Sequence, residues 1–310
     1  MFTAATVFSA LELGFIYALV AMALFLSFRI LNIADMSTDG TFTLGCAVSA
    51  TAAVAGHPVL GLFLAIAAGA ASGFVTATLQ TRLGVPSILA GIITNTGLYT
   101  VNLAVMGWSS NLSIYGSDSL FTLCKELFPW EWWAKWHELV VLAVILLVAA
   151  LLVVLFFRTR LGLSIRATGD NADMVRASSI NPSFTITVGL CLSNSLTGLA
   201  GCLIGLLNKS CDINLGTGMV TVALASLIIG ESLMGRGSIP RRVFGVILGA
   251  CLYRIIIAVA ISTSIVPTEG FKLVSALIVA VAIAAPQGRK LIALQRQKLA
   301  ARKRGGGVKC

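Results

Sequence analysis

Nine apolar runs follow one another along the chain, at 8–28, 41–56, 58–81, 86–106, 138–158, 184–208, 217–234, 241–262 and 270–287. A helix needs about 20 apolar residues to cross a bilayer, and most of these runs reach that length. Only 11% of the 310 residues are charged and mean hydropathy is +0.96, whereas soluble domains carry roughly a quarter charged residues. Such a chain cannot cover a water-facing surface, so its solvent is lipid. The expected fold is an all-α polytopic membrane protein of about nine transmembrane or partly re-entrant helices. The runs 41–56 and 217–234 are short, which predicts broken helices packed inside the protein.

The net charge of +10 does not point to nucleic acid, because the basic residues lie in gaps between apolar runs rather than in patches interleaved with aromatics. Arg158, Arg160, Arg166 and Arg176 mark one side, as do Arg236, Arg241, Arg242 and the tail 289–310. The positive-inside bias makes that side cytoplasmic. Nine crossings then put the N-terminus outside and the C-terminus inside, with the basic tail against anionic headgroups. Trp130, Trp132, Trp133 and Trp136 precede the run 138–158, as in an aromatic belt anchoring an interfacial helix. Cys46, Cys191, Cys202 and Cys251 lie inside apolar runs and no CxxC or Cys/His ligand spacing occurs, so neither disulfides nor a metal site is expected.

The chain is weakly duplicated. Leu31-Asn32 followed by Gly40-Thr41 matches Leu207-Asn208 followed by Gly216-Thr217 at identical spacing. In each half a short apolar run follows, then a span near a proline (Pro58, Pro240) and a further proline (Pro86, Pro267) before the next span. An odd number of crossings separates the halves, so the repeats, about 8–106 and 184–287, are inverted. Transporters often place the substrate route between such repeats.

The polar stretch 158–184 reads RTRLGLSIRATGDNADMVRASSINPSF. Gly169-Asp170-Asn171 supplies a turn and a helix start, with side chains able to cap orphan N–H groups. A short helix is expected over Ala172–Ser179, ended by Asn181-Pro182, which starts the next span. On residue chemistry alone this is either a docking element or an ordinary basic loop.

The stretch resembles the coupling loop of permease subunits of bacterial ABC importers, in the branched-chain amino acid and ribose class. The resemblance rests on T-R-x-G-x-x-x-R-A-x-G-D-N at Thr159–Asn171, on the short helix after it, and on Leu199-Ala200-Gly201. Phe28-Arg29-Ile30-Leu31-Asn32 and Asp39-Gly40-Thr41-Phe42-Thr43-Leu44-Gly45 resemble the subgroup linked to uptake of tryptophan, tyrosine and similar solutes; Asp212–Met219 and Ile229-Gly230-Glu231 fit as well. The likeness covers nearly all of a permease domain at 1–288. It implies a cytoplasmic ABC ATPase dimer, an extracytoplasmic solute-binding protein and a second permease copy, read as a homodimer. Gly169, Asp170, Asn171, Ala172, Asp173, Met174, Ala177 and Ser178 would then meet the ATPase. The sequence holds no G-x-x-x-x-G-K-[ST] loop, so ATP would be bound by that partner and the chain is not expected to be an enzyme.

Polar residues in or beside spans are candidates for the translocation path: Asp39, Asn95, Asn194, Asn208, Asp212 and Arg254. Arg254 reads either as a path residue, an anchor for a substrate carboxylate, or as a structural ion pair with a partner such as Glu231. Asp39 reads either as a path residue or as the cap of the helix it opens. Two other function classes compete. An ion-coupled secondary transporter needs acids buried at mid-membrane, and here the acids lie at run ends. A membrane enzyme needs a nucleophile–base pair, paired carboxylates or a metal cluster, and His57 and His137 are isolated.

Overall fold

The computed structural model describes residues 4–126, 131–235 and 237–262, together with 276, 280 and 284. In chain order these form α1 (Ala4–Leu24, continued by a π-helical turn Phe25–Ile30), α2 (Thr38–Val54), α3 (Pro58–Thr81), α4 (Ser87–Val105), β1 (Asn111–Ser113), α5 (Leu120–Glu126) and α6 (Glu131–Phe156). Then come α7 (Arg160–Asp170), α8 (Ala172–Ala177), α9 (Pro182–Asn208), β2 (Ser210–Asp212), α10 (Met219–Met234) and α11 (Ile239–Ser262). Among the described residues, six helices are long and apolar enough to cross a membrane: α1 with its π turn, α3, α4, α6, α9 and α11. The protein is an all-α polytopic membrane protein. The ninth expected run, 270–287, and the basic tail lie outside the described residues, apart from the three isolated positions.

The two short runs are short helices, α2 of 17 residues and α10 of 16. At 1.5 Å per residue they reach about 25 Å, less than the hydrocarbon thickness of about 30 Å. The chain breaks before α2 because α1 ends in its π turn, Asn32 adopts φ 57° and residues 31–37 double back. Almost all of α2 is buried, so its surroundings are protein rather than lipid.

Close backbone approaches fix the direction of each helix. Small residues let helices approach in a bilayer, where no hydrophobic driving force separates helix from lipid. On α3, Gly73 packs on Leu190 and Gly69 on Asn194, while Gly198 meets Ala65, so α3 and α9 are antiparallel. Gly201 meets Phe42 and Gly205 meets Cys46, so α2 runs with α9. Gly230 meets Gly245 and Ser226 meets Gly249, so α10 and α11 are antiparallel. The first strand pairs antiparallel with the second, Asn111 opposite Asp212, which joins the far ends of α4 and α9.

The opposite end of the bundle is marked by α7 and α8. There Gly169 of α7 lies against the Ile30 carbonyl at the end of α1. Thus α1 runs toward the α7–α8 end, α2 away and α3 toward it, whereas α9 runs away, α10 toward and α11 away. Among the described residues, α1, α2 and α3 are each reversed in α9, α10 and α11, the relation expected of inverted repeats.

Candidate functional site

A cavity of about 320 Å³ lies between α2, α4 and the turn 213–217. Its walls are Asp39, Gly40 and Thr43 from α2, Asn95, Thr96, Tyr99 and Asn102 from α4, and Ile213, Asn214 and Thr217. The α2 residues are here because the break at 31–37 starts that helix inside the bundle. From α4, Asn95, Tyr99 and Asn102 fall at i, i+4 and i+7, one stripe of a helix.

Asp39 is the joint of the site. It stands in the first turn of α2, yet its carboxylate caps a helix of the other repeat. Gly218 N–H donates to Oδ2 at 3.0 Å and Val220 N–H to Oδ1 at 3.0 Å. These are orphan donors at the start of α10, where the helix dipole favours negative charge. Gly218 holds φ 89° there, a conformation open to glycine at little cost. The expectation that Asp39 caps its own helix is therefore corrected. The turn before α10 brings Gly216 onto the Asp39 carbonyl and its N–H to Thr43 Oγ1 at 3.1 Å, so the first exposed donors near the carboxylate are those of α10.

Asn102 is 1% exposed and its Nδ2 donates to the Gly40 carbonyl at 3.1 Å. That carbonyl can only accept, which fixes the amide orientation. Its Oδ1 is left without a partner.

The other path candidates are placed elsewhere. Asp212 is in β2 beside the turn, its Oδ1 accepting from Asn214 N–H at 2.8 Å. Asn208 is exposed at the end of α9. Asn194 belongs to a separate buried cluster at the break. Its Nδ2 donates to Asp35 Oδ2 at 2.7 Å, while Ser37 N–H and O–H donate to Asp35 Oδ1 at 2.9 and 2.6 Å. Asp35 is 1% exposed, so one acid does lie deep in the bundle, which its position at a run end in the sequence concealed. Arg254 makes no pair with Glu231. It lies on the α1–α11 interface with its guanidinium 3.9 Å over the Tyr17 ring, and Nε has no partner. An aromatic face is a substitute for water around a buried cation.

Glu231 instead binds Arg29 at 2.6 Å and Arg242 at 3.4 Å. This ties the π turn of α1 to the end of α10 and the start of α11. Helix α10 is therefore anchored at both ends, to Asp39 at the cavity and to Arg29 beside Ile30.

At the α7–α8 end, the expected short helix is α8. Asn171 caps it, its Oδ1 accepting from Asp173 and Met174 N–H, both at 3.0 Å. Ser179 turns the chain with φ 60°, Asn181 Oδ1 takes Ser183 N–H at 3.0 Å, and Pro182 opens α9. The expected turn at Gly169–Asn171 is narrower than anticipated, since Gly169 and Asp170 complete a preceding helix, α7, capped by Thr159. That helix forms because one face, Gly162, Ile165 and Thr168, is buried while Leu161, Leu163 and Arg166 are exposed. In α8 only Val175 is buried; Asp173, Met174, Arg176, Ala177 and Ser178 are exposed. The elbow is rigidly capped and presents a small surface outward.

The family model described as branched-chain amino acid transport system / permease component matches residues 6–283. The chain belongs to this permease family. It is 29% identical over 274 residues to a protein named tyrosine transport system permease protein from Clostridioides difficile (strain R20291), covering 88% of each chain. It is also 30% identical over 265 residues to an uncharacterised protein of Rickettsia prowazekii (strain Madrid E), covering 84% of this chain and 90% of that one. No solved structure matches it. The protein is thus the membrane-spanning permease of a transport system. The path candidates read from the sequence include Asp39 and Asn95 of this wall and omit Thr43, Tyr99, Asn102, Asn214 and Thr217. The i, i+4, i+7 stripe on α4 is the signal that joins Tyr99 and Asn102 to Asn95.

Proposed function

We propose that this permease is the translocating subunit of an ATP-driven importer in a bacterial inner membrane, and that it carries tyrosine or a related aromatic amino acid. In this reading the α7–α8 end is cytoplasmic and fits its exposed elbow to an ABC ATPase dimer. The β1–β2 end faces a solute-binding protein, and a second copy of the chain completes the path. The cavity beside Asp39 is where solute stands between the two ends.

The observation that carries the proposal is the elbow. A six-residue helix capped at both ends and exposed over four of its side chains contributes little to the core, and its linker α7 touches the π turn of α1 through Gly169. A displacement of α8 would pass through Ile30 and Arg29 to Glu231, along α10, and reach Asp39. Family membership and the relative named for tyrosine transport support the same reading.

The alternative is an ion-coupled secondary transporter, which the buried Asp35 would suit. Three of its about four acceptor positions are taken, two on Oδ1 by Ser37 and one on Oδ2 by Asn194, and it is 1% exposed, which leaves a cation poorly served and favours a structural role. The test is to purify the permease from its native membrane in mild detergent. The proposal expects a stoichiometric ATPase that is lost when 172–179 is scrambled; a permease that purifies alone and transports under an ion gradient would replace it with the alternative.

A further inference from the structure

The cavity beside Asp39 has a one-sided chemistry. Its ten wall residues include a carboxylate and no Lys, Arg or His. The carboxylate has given one lone pair of each oxygen to the α10 backbone, and a carboxylate offers about four acceptor positions. Asn102 belongs to the same wall, and its Oδ1 is buried and without a donor. A buried acceptor without a partner costs roughly 1–3 kcal/mol, and the adjoining space is where a donor would come from. Two of the hydroxyls nearby are committed: Thr43 donates to the Asp39 carbonyl at 3.3 Å and Thr96 to the Ile92 carbonyl at 2.9 Å. Tyr99, 52% exposed, adds a ring face, which attracts a cation or stacks on an apolar body.

The only charge on this wall is negative, and a buried acceptor stands open beside it, so the wall favours a positive, donor-rich group. We infer that the cavity binds the ammonium end of an amine-bearing solute, with Asn102 Oδ1 and the Asp39 carboxylate as acceptors, and offers no cationic side chain to a carboxylate. This rests on reading the chain as a permease and assigns which end of the solute that permease holds. The volume of about 320 Å³ is at the lower bound of small-molecule pockets, enough for an amino acid or a monoamine. The Arg254 alternative, in which a cation anchors a substrate carboxylate, has no support here, since Arg254 is stacked on Tyr17 at another interface.

The probes are tyramine, which keeps the amine and lacks the carboxylate, and 4-hydroxyphenylpropionate, which keeps the carboxylate and lacks the amine. L-tyrosine carries both. Binding is read by saturation-transfer NMR on the purified full chain in lipid nanodiscs, with empty nanodiscs subtracted to remove partition into lipid. Tyramine and tyrosine should give specific signals that displace one another, and the acid should neither bind nor compete. In Asn102→Leu, tyramine binding should fall about tenfold or more, the scale of a lost hydrogen bond to a charged group. Thr217 is exposed on the same wall, so Thr217→Asp adds a charge there without burying it, and tyramine should bind more tightly, a gain that misfolding cannot imitate.

The acid competing as well as tyramine overturns the inference, as does absence of any specific amine signal, or a Thr217→Asp chain that binds tyramine no better. The permease reading is judged separately, by co-purification of the ATPase, so each can fail while the other stands.

Discussion

Gly169→Ala should loosen the elbow from the bundle. A Cβ there would fall within the van der Waals radius of the Ile30 carbonyl oxygen, and the next nearest atoms are Ile30 C at 2.8 Å and Leu31 Cα at 3.0 Å. All three are backbone, so no rotamer change relieves the clash. Carbon and oxygen in ordinary contact stand near 3.4 Å, so α7 and the π turn must separate by about 1.5 Å. Overpacking of this kind costs about 1–3 kcal/mol, or roughly a five- to hundredfold shift of the unfolding equilibrium. The matched control is Gly97→Ala, in α4 with nothing within 4 Å of the new methyl, where Ala in place of Gly stabilises a helix by up to about 1 kcal/mol. Unfolding in bicelles followed by circular dichroism reads both. In the complete transporter the Gly169 variant should also hydrolyse ATP with less solute moved per turnover. A Gly169→Ala chain as stable as its parent, with unchanged transport per ATP, would refute the claim that α7 and α1 meet here and carry motion between the elbow and the core.

Three further outcomes are expected. Glu231→Gln leaves Arg29 and Arg242, whose side chains are 32% and 19% exposed, without their shared anion; breaking a buried pair costs 3–5 kcal/mol and partial exposure reduces this to about 2 kcal/mol, read by the same unfolding measurement. Asn194→Leu strips Asp35 Oδ2 of its donor and should cost about 1–3 kcal/mol, while adding Asp35→Leu to it should recover part of that loss in a double-mutant cycle. Ala177→Glu, on the exposed face of α8, should leave stability within about 0.5 kcal/mol but abolish ATPase co-purification; retained binding would count against the docking role.

Much of the fold was legible because a bilayer makes hydrophobic length decisive. The runs 58–81, 86–106 and 184–208 are α3, α4 and α9 to within about two residues, a limit set by fraying of helix ends. The short runs 41–56 and 217–234 read correctly as short helices, and the duplicated Leu-Asn…Gly-Thr motif marked the inverted halves. The elbow was legible because Asn171, Asn181 and Pro182 are local signals. What the sequence hid is long-range pairing. Asp39 caps a helix some 180 positions on, Glu231 finds Arg29 rather than Arg254, and Asp35 finds Asn194; each partner is chosen by how the repeats interlock. Helix α7 was also missed, because a basic stretch with Gly162 and Gly169 reads as loop until its two close approaches, to Phe156 and Ile30, are seen.

The account stands most directly on the energy source. The complete complex, purified from native membranes with whatever subunits accompany the permease, is reconstituted in liposomes with ionophores that collapse every ion gradient, and uptake of labelled tyrosine is measured with and without ATP. The account predicts uptake that requires ATP, survives the ionophores and disappears with Ala177→Glu. Uptake that proceeds without ATP and vanishes when the gradients collapse would contradict it.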